Sequence, residues 1–127
     1  MPKKILIVED DRSLQSALTE MLEKHQYAAV SAFDGEAGLA AAEKEKPDLI
    51  LLDIILPKKD GFAFLQEMKQ NPNIASIPVI VLTNLEDSAD IERALGLGAQ
   101  IFLVKTDYQL EEIAEKITQT LHETHNA

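Results

Sequence analysis

Leu49-Ile50-Leu51-Leu52-Asp53-Ile54-Ile55-Leu56-Pro57 is the stretch that decides how this chain folds. Four consecutive aliphatic residues without polar alternation read as a strand covered on both faces, the pattern of a central parallel strand. The run ends on a carboxylate. A charge at the rim of an apolar slab is costly unless it finds partners. Three other apolar runs also end on polar chemistry. Ile5-Leu6-Ile7-Val8 leads into Glu9, Asp10 and Asp11; Val79-Ile80-Val81-Leu82 leads into Thr83; Ile101-Phe102-Leu103-Val104 leads into Lys105. If the four runs are neighbouring parallel strands, an acid cluster, a hydroxyl and a lysine converge on Asp53.

Between the strands the hydrophobic period becomes helical. Leu14, Ala17, Leu18, Met21 and Leu22 fall at i, i+3, i+4, i+7 and i+8, an amphipathic helix. Tyr27 to Phe33 reads as a second strand, less apolar and therefore suited to a sheet edge. Asp34-Gly35 makes a turn, and an Ala-rich helix over Ala37 to Lys46 is ended by Pro47. Pro57 to Gly61 is a loop. Phe62 to Gln70 is a helix with Phe62, Leu65 and Met68 on its inner face, and Asn71-Pro72-Asn73 stops it. Ala89 to Leu97 is a helix, with Gly96 and Gly98 at its C-terminal end. Thr106 and Gln109 read as a capping box for the last helix. Its stripe is Leu110, Ile113, Ala114, Ile117 and Leu121, and the tail after Leu121 is expected to fray.

The count is (βα)5. Strands joined through helices are parallel, and right-handed crossovers place helices on both faces. The expected fold is α/β: a doubly wound five-stranded parallel sheet of order 2-1-3-4-5, flavodoxin-like, with the weak second strand at an edge. Residues 1–122 form one domain and residues 123–127 a C-terminal tail. No output domain is expected within these residues.

Composition narrows the function. The chain has 127 residues, the size of one domain, and 46% are hydrophobic. Twelve Lys and Arg against 22 Asp and Glu give a net charge of −10. That leaves no basic stripe for direct nucleic-acid binding and no affinity for an anionic membrane. No run approaches the ~18–20 apolar residues of a membrane span. The start of the chain leads into a strand and not into a signal peptide, so a cytoplasmic location is expected. With no cysteine, disulfides and thiolate metal sites are excluded.

Ligands of open α/β sheets bind outside the carboxyl ends of the strands, where the strand order reverses. Strands one and three flank that point, which brings Glu9, Asp10 and Asp53 together. Two carboxylates ~4 Å apart repel by roughly 4 kcal/mol at an effective dielectric near 20. Such a cluster must protonate, separate or bind a cation. Hard oxygen donors without Cys or His point to Mg²⁺, with Mn²⁺ the alternative. Lys105 adds fixed positive charge and Thr83 a short donor, the positioning and charge stabilisation that phosphoryl transfer needs. Asp53 is then the nucleophile of an aspartyl phosphate. Taken singly, an acid or a threonine after a strand is ordinarily a cap (Asp11 fits that reading), and a lysine is ordinarily solvated. Four matching strand ends in one short chain are a stronger signal.

With these residues in place the chain resembles a response-regulator receiver domain of two-component signalling, of the single-domain chemotaxis-regulator type, over essentially its whole length. The matching elements are Ile5 to Asp11, Asp48 to Asp53 with Leu56-Pro57 and Asp60-Gly61, Ile77-Pro78 through Thr83, Gly98-Ala99, and Lys105. The resemblance implies that Asp53 accepts a phosphoryl group from a histidine kinase or a histidine phosphotransfer protein. It implies Mg²⁺ held by Asp10, Asp53 and the backbone carbonyl of Ile55, with Glu9 acting partly through water. Thr83 and Lys105 would bind the phosphoryl oxygens. Thr83 and Phe102 would form a switch that alters the surface of helix four, strand five and helix five for a downstream protein. Phe102 reads equally well as core. The implied protein is not a turnover enzyme: it catalyses only its own phosphorylation and slow dephosphorylation, as a monomer or a phosphorylation-dependent dimer.

The chain departs from the family pattern at two positions beside the site. Thr106 stands where a proline commonly follows the lysine, and a cis bond without proline costs about 2.5–4 kcal/mol, so a trans bond or a local rearrangement is expected. Asn84 replaces a usually small residue after Thr83. Strand five also lacks the acidic pair of one large transcription-factor subfamily. Ile55 and Leu85, two residues beyond Asp53 and Thr83, border the hydrolytic water's path in this family. Both are apolar and cannot orient that water.

Three rivals stand beside this reading. A degenerate receiver acting only as a binding module is the first, although this chain is missing none of the acceptor or acid residues. An aspartate-nucleophile phosphohydrolase would need a second Asp where Ile55 stands. A flavodoxin-like FMN carrier would need a phosphate-cradling loop where Glu9-Asp10-Asp11 would repel phosphate. His25 reads as a helix end, and His122 and His125 lack zinc-protease spacing.

Overall fold

The computed structural model describes residues 2–126, with side chains described through residue 123. The elements alternate without exception: β1 (Lys4–Val8), α1 (Arg12–Lys24), β2 (Ala28–Ala32), α2 (Gly35–Glu45), β3 (Leu49–Leu52), α3 (Gly61–Lys69), β4 (Val79–Thr83), α4 (Ser88–Gly96), β5 (Ile101–Val104) and α5 (Leu110–Asn126). All neighbouring strands pair in parallel, in the order β2-β1-β3-β4-β5.

The alternation of side chains along each strand divides the core into two layers. Leu6, Val8, Ile50, Leu52, Val79 and Val81 face α2, α3 and α4, meeting Ala42, Phe64, Leu65, Met68 and Ala94. Ile5, Ile7, Leu49, Leu51, Ile80, Leu82 and Leu103 face α1 and α5, meeting Leu18, Leu22, Ile113, Ala114 and Ile117. All four residues of β3 are buried, as a strand covered on both faces requires. Each fully buried Leu or Ile contributes roughly 1.5–3 kcal/mol. β2 is half-exposed along most of its length, as expected of the edge.

Local chemistry sets the helix boundaries. Asp11 caps α1, accepting from the Ser13 and Leu14 amides, and Asp34 caps α2 through the Ala37 amide. β2 is one residue shorter at each end than the pattern of Tyr27 to Phe33 suggested: Tyr27 lies before it and Phe33 after it. α2 begins at Gly35, because Asp34 and not a later residue supplies the cap. A Cβ on Gly35 would stand 1.9 Å from the Lys59 carbonyl oxygen, so only glycine lets the loop after β3 pass so close.

Two expectations are corrected at the C-terminal end. The capping box of α5 does not use Thr106. That residue sits in a 3-10 turn over Lys105–Asp107, and the Glu112 carboxylate reaches back to the Gln109 amide at 2.9 Å instead. The backbone of α5 also stays helical past Leu121, through Asn126, where fraying was expected. The side chains beyond residue 123, His125 among them, lie outside the described residues.

Candidate functional site

The register of the central strands assembles the site. Val8 lies opposite Leu52, so the next residues, Glu9 and Asp53, emerge side by side. The Asp53 amide donates to the Val8 carbonyl at 3.0 Å, and the Glu9 amide donates to Ala32 at 3.0 Å. Thr83 ends β4 opposite Val104, with Lys105 following at once. The four strand ends read from the sequence therefore meet at one edge of the sheet.

Lys105 bridges the two buried acids. Its Nζ lies 2.6 Å from Glu9 Oε1 and 2.8 Å from Asp53 Oδ2. Glu9 is 3% exposed and Asp53 5% exposed, so neither carboxylate is solvated as a surface acid would be. The second oxygens are also held: Glu9 Oε2 accepts from the Asp11 amide at 2.9 Å, and Asp53 Oδ1 from the Ile55 amide at 3.2 Å. Asp10 is exposed at the mouth, yet one oxygen from each of Glu9, Asp10 and Asp53 lies within 4.8 Å of the others.

The electrostatics follow from this packing. Burial pushes the Glu9 carboxyl above its ordinary value; the hydrogen bonds from Lys105 and the Asp11 amide oppose the shift, and the Asp53 charge reinforces it. For Lys105, burial opposes the charged form, but hydrogen bonds and charge from Asp53 and Glu9 prevail and raise it above its ordinary value. The ammonium gains from two acids, whereas Glu9 shares one cation with a neighbouring carboxylate. Three carboxylates and one ammonium leave two negative charges at the site. An all-oxygen donor set with that excess charge fits a hard divalent cation.

The remaining residues surround this centre. Thr83 is fully buried, and its Oγ1 accepts from the Leu85 amide at 3.5 Å. Ile55 is 56% exposed and Leu85 half-buried, flanking the site with apolar side chains. Asn84 and Thr106 are both exposed, and the peptide bonds of the described residues are trans, as expected for Lys105-Thr106. Phe102 is half-buried against the layer that contains α3 and α4. Arg93 of α4 stacks 4.1 Å over the Phe62 ring, tying α4 to the start of α3 below the site.

Two further residues support the site: Gly61, which the sequence reading quoted only as a loop and pattern residue, and Gln15, which it missed. A Cβ on Gly61 would stand 2.6 Å from Ile54 Cα and 2.7 Å from the Asp53 carbonyl oxygen, so glycine lets α3 begin directly against the residues that follow β3. Gln15 is 3% exposed on the inner face of α1. Its signal was present: it lies three residues before Leu18 and seven before Leu22, a polar side chain inside the apolar stripe.

Comparison with known proteins agrees with this geometry. Residues 5–118 match the model of the response regulator receiver domain. The chain is 38% identical over 124 residues to the probable transcriptional regulator ycf27 of Cyanophora paradoxa, covering 98% of this chain and 50% of that protein. It thus spans about half the length of that relative. Among solved structures, a CheY-like response regulator receiver domain protein of Methanospirillum hungatei superposes with a TM-score of 0.91 at 29% identity, covering 99% of this chain and 98% of the other. The Mn²⁺-bound form of response regulator Rcp1 superposes with a TM-score of 0.76 at 37% identity, covering 82% and 81%. With the doubly wound order, the acid cluster and the lysine bridge in agreement, this chain belongs to the response regulator receiver domain family of two-component systems.

Proposed function

We propose that Asp53 is the phosphoacceptor of this receiver domain. The observation that carries the reading is the convergence of Glu9, Asp10 and Asp53 within 4.8 Å, with Lys105 seated on Asp53 Oδ2. An Asp53 carboxylate oxygen attacks the phosphorus of a phosphohistidine. The new O–P bond forms as the N–P bond breaks, and the imidazole departs with the bonding electrons. Lys105 already neutralises one Asp53 oxygen and is placed to follow the charge onto the phosphoryl group. Thr83 supplies a hydroxyl at the end of the adjacent strand.

Glu9, Asp10, Asp53 and the carbonyl of Ile55 are assigned as the residues that would hold Mg²⁺, with Mn²⁺ an alternative. When bound, the ion supplies positive charge that offsets the carboxylates against an incoming phosphoryl group. The Mn²⁺-bound form of a 37% identical response regulator supports that assignment.

Receiver domains are signalling modules that work with histidine kinases or phosphotransfer proteins, and we assign such a donor to this one. The switch pair is Thr83 and Phe102, and the output surface is that of α4, β5 and α5. With a net charge of −10, this segment passes its signal to a protein and not directly to nucleic acid. No helix of the described residues is long and apolar enough to cross a membrane. We place the domain in the cytoplasm with its donor, as a monomer or as a dimer formed on phosphorylation.

Mass spectrometry after incubation with acetyl phosphate and Mg²⁺ tests the core claim. A phosphoryl adduct is expected on the wild type and none on Asp53→Ala or with EDTA present. An adduct that persists on Asp53→Ala would move the acceptor elsewhere.

A further inference from the structure

We infer that Gln15 is a positioning residue for the acid cluster, fixing the backbone from which Glu9 and Asp10 project. The inference rests on the phosphoacceptor reading above, because its consequence is the affinity of the cluster for a divalent cation.

Gln15 lies in the first turn of α1, its amide bonded to the Asp11 carbonyl at 2.9 Å. Its side chain points into the fold and meets three backbone carbonyls. Nε2 donates to Ile7 O at 2.9 Å, Glu9 O at 3.2 Å and Ala32 O at 2.9 Å. Two N–H groups thus serve three acceptors from the ends of β1 and β2 and the start of the following loop. Turning the amide over would set an oxygen against three oxygens, so the carbonyls fix its orientation.

The Glu9 residue is consequently held at both backbone groups. Its N–H donates to Ala32 O, and its C=O accepts from Gln15. The peptide unit that joins Glu9 to Asp10 includes that same carbonyl, so Gln15 controls the directions in which both acids leave the backbone. No other side chain among the described residues is recorded bonding to the Glu9 carbonyl.

Gln15 Oε1 supports the same conclusion from the opposite side. It is buried and has no hydrogen-bond partner among the protein atoms of the described residues. A buried unpaired oxygen lowers stability. A Met side chain of similar length would fill this position beside Leu18 and Leu22 without that penalty, but it would leave the three carbonyls without a donor. The polarity at position 15 therefore serves the carbonyls and not the packing of α1.

Outer residues that orient metal ligands commonly change metal affinity by about 10–100-fold when removed. The test is Mg²⁺ titration by calorimetry on folded protein, checked by circular dichroism. Gln15→Met is compared with Leu22→Ala, which empties a core position on the same helix away from the site. Gln15→Met is expected to weaken Mg²⁺ binding by about tenfold or more. Leu22→Ala is expected to lose stability while leaving the affinity unchanged. Gln15→Leu also removes the donor without adding charge, and serves where Gln15→Met fails to fold. Wild-type affinity in both donor-free variants would overturn the inference alone. A wild type that takes up no Mg²⁺ would overturn the phosphoacceptor reading and this inference with it.

Discussion

Replacing Lys105 by methionine isolates the electrostatics of the site. The substitution keeps the length of the stem and removes the one positive charge that, among the described residues, lies within 4 Å of Glu9 and Asp53. Both carboxylates then remain buried and uncompensated. Removing one partner from a buried ion pair costs about 3–5 kcal/mol. The lysine side chain is 17% exposed, so water partly relieves the loss. Protonation sets a ceiling: taking a proton at pH 7 from an ordinary glutamate value near 4.3 costs about 1.36 kcal/mol for each of roughly 2.7 pH units, or about 4 kcal/mol. We therefore expect a loss of about 2–4 kcal/mol at pH 7 in EDTA. Over 127 residues, at about 2.1 cal/mol/K each, the unfolding entropy is roughly 270 cal/mol/K, so Tm should fall by about 7–15 °C.

The sign of the pH dependence is fixed by the direction of the Glu9 shift. Its folded carboxyl is raised, mainly by burial. Between the unfolded and folded values the native state holds more protons, so stability falls as pH rises through that window. The Lys105→Met deficit should accordingly be largest at neutral pH and shrink below about pH 5. Adding Glu9→Gln to Lys105→Met should recover part of the loss, and so should millimolar Mg²⁺. Thermal unfolding followed by circular dichroism in EDTA and in Mg²⁺ measures all of these. A Lys105→Met protein within about 1 kcal/mol of wild type in EDTA at pH 7 would refute the reasoning. So would a double variant less stable than Lys105→Met.

Further expectations concern the scaffold and the timing of the switch. Gly61→Ala places a Cβ against two backbone atoms that cannot yield as a side chain could, and urea unfolding should show a loss of about 1–3 kcal/mol; an unchanged midpoint would mean that α3 moves freely away from β3. Asp11→Ala removes the acceptor of the Ser13 and Leu14 amides, and a loss of about 1 kcal/mol is expected by the same measurement. Ile55 and Leu85 flank the site with apolar side chains that cannot orient a hydrolytic water. Ile55→Asn with Leu85→Asn should shorten the lifetime of the phosphoryl adduct several-fold when its decay is followed by mass spectrometry, whereas equal decay would remove these positions from the timing of the signal.

The sequence was most legible where the local signal and the tertiary role coincide. Leu49 to Leu52 is apolar without alternation because both faces of β3 are covered, so its burial could be read from its composition. Asp34-Gly35 and Asp60-Gly61 were legible only as turn and loop; both aspartates are helix caps, which moves the starts of α2 and α3 to the glycines. Thr106 shows the opposite case. A Thr three residues before a Gln has the form of a capping box, but the 3-10 turn displaces the start of α5, and Glu112 makes the reciprocal bond to Gln109. Such competition between turns of similar energy is decided by where β5 ends and α5 docks. The tail after Leu121 lacks the apolar stripe from which the helix was inferred, yet its backbone continues the α5 hydrogen-bond ladder.

What the sequence determined by itself was the alternation of strands and helices, the order of the sheet and the identity of the residues at its carboxyl edge. These depend on hydrophobic period and on chain connectivity, which a linear reading contains. Only the tertiary structure decided how those residues share charge. The register Val8 to Leu52 places Glu9 beside Asp53, burial raises the Glu9 carboxyl, and the chain's return through β5 brings Lys105 within 2.6 Å of one acid and 2.8 Å of the other. Gln15 belongs to the same category, since its three carbonyl partners come from β1, β2 and the loop between β1 and α1. Electrostatic and hydrogen-bond energies depend on distances of a few ångströms between segments far apart in the chain, and the fold alone sets those distances.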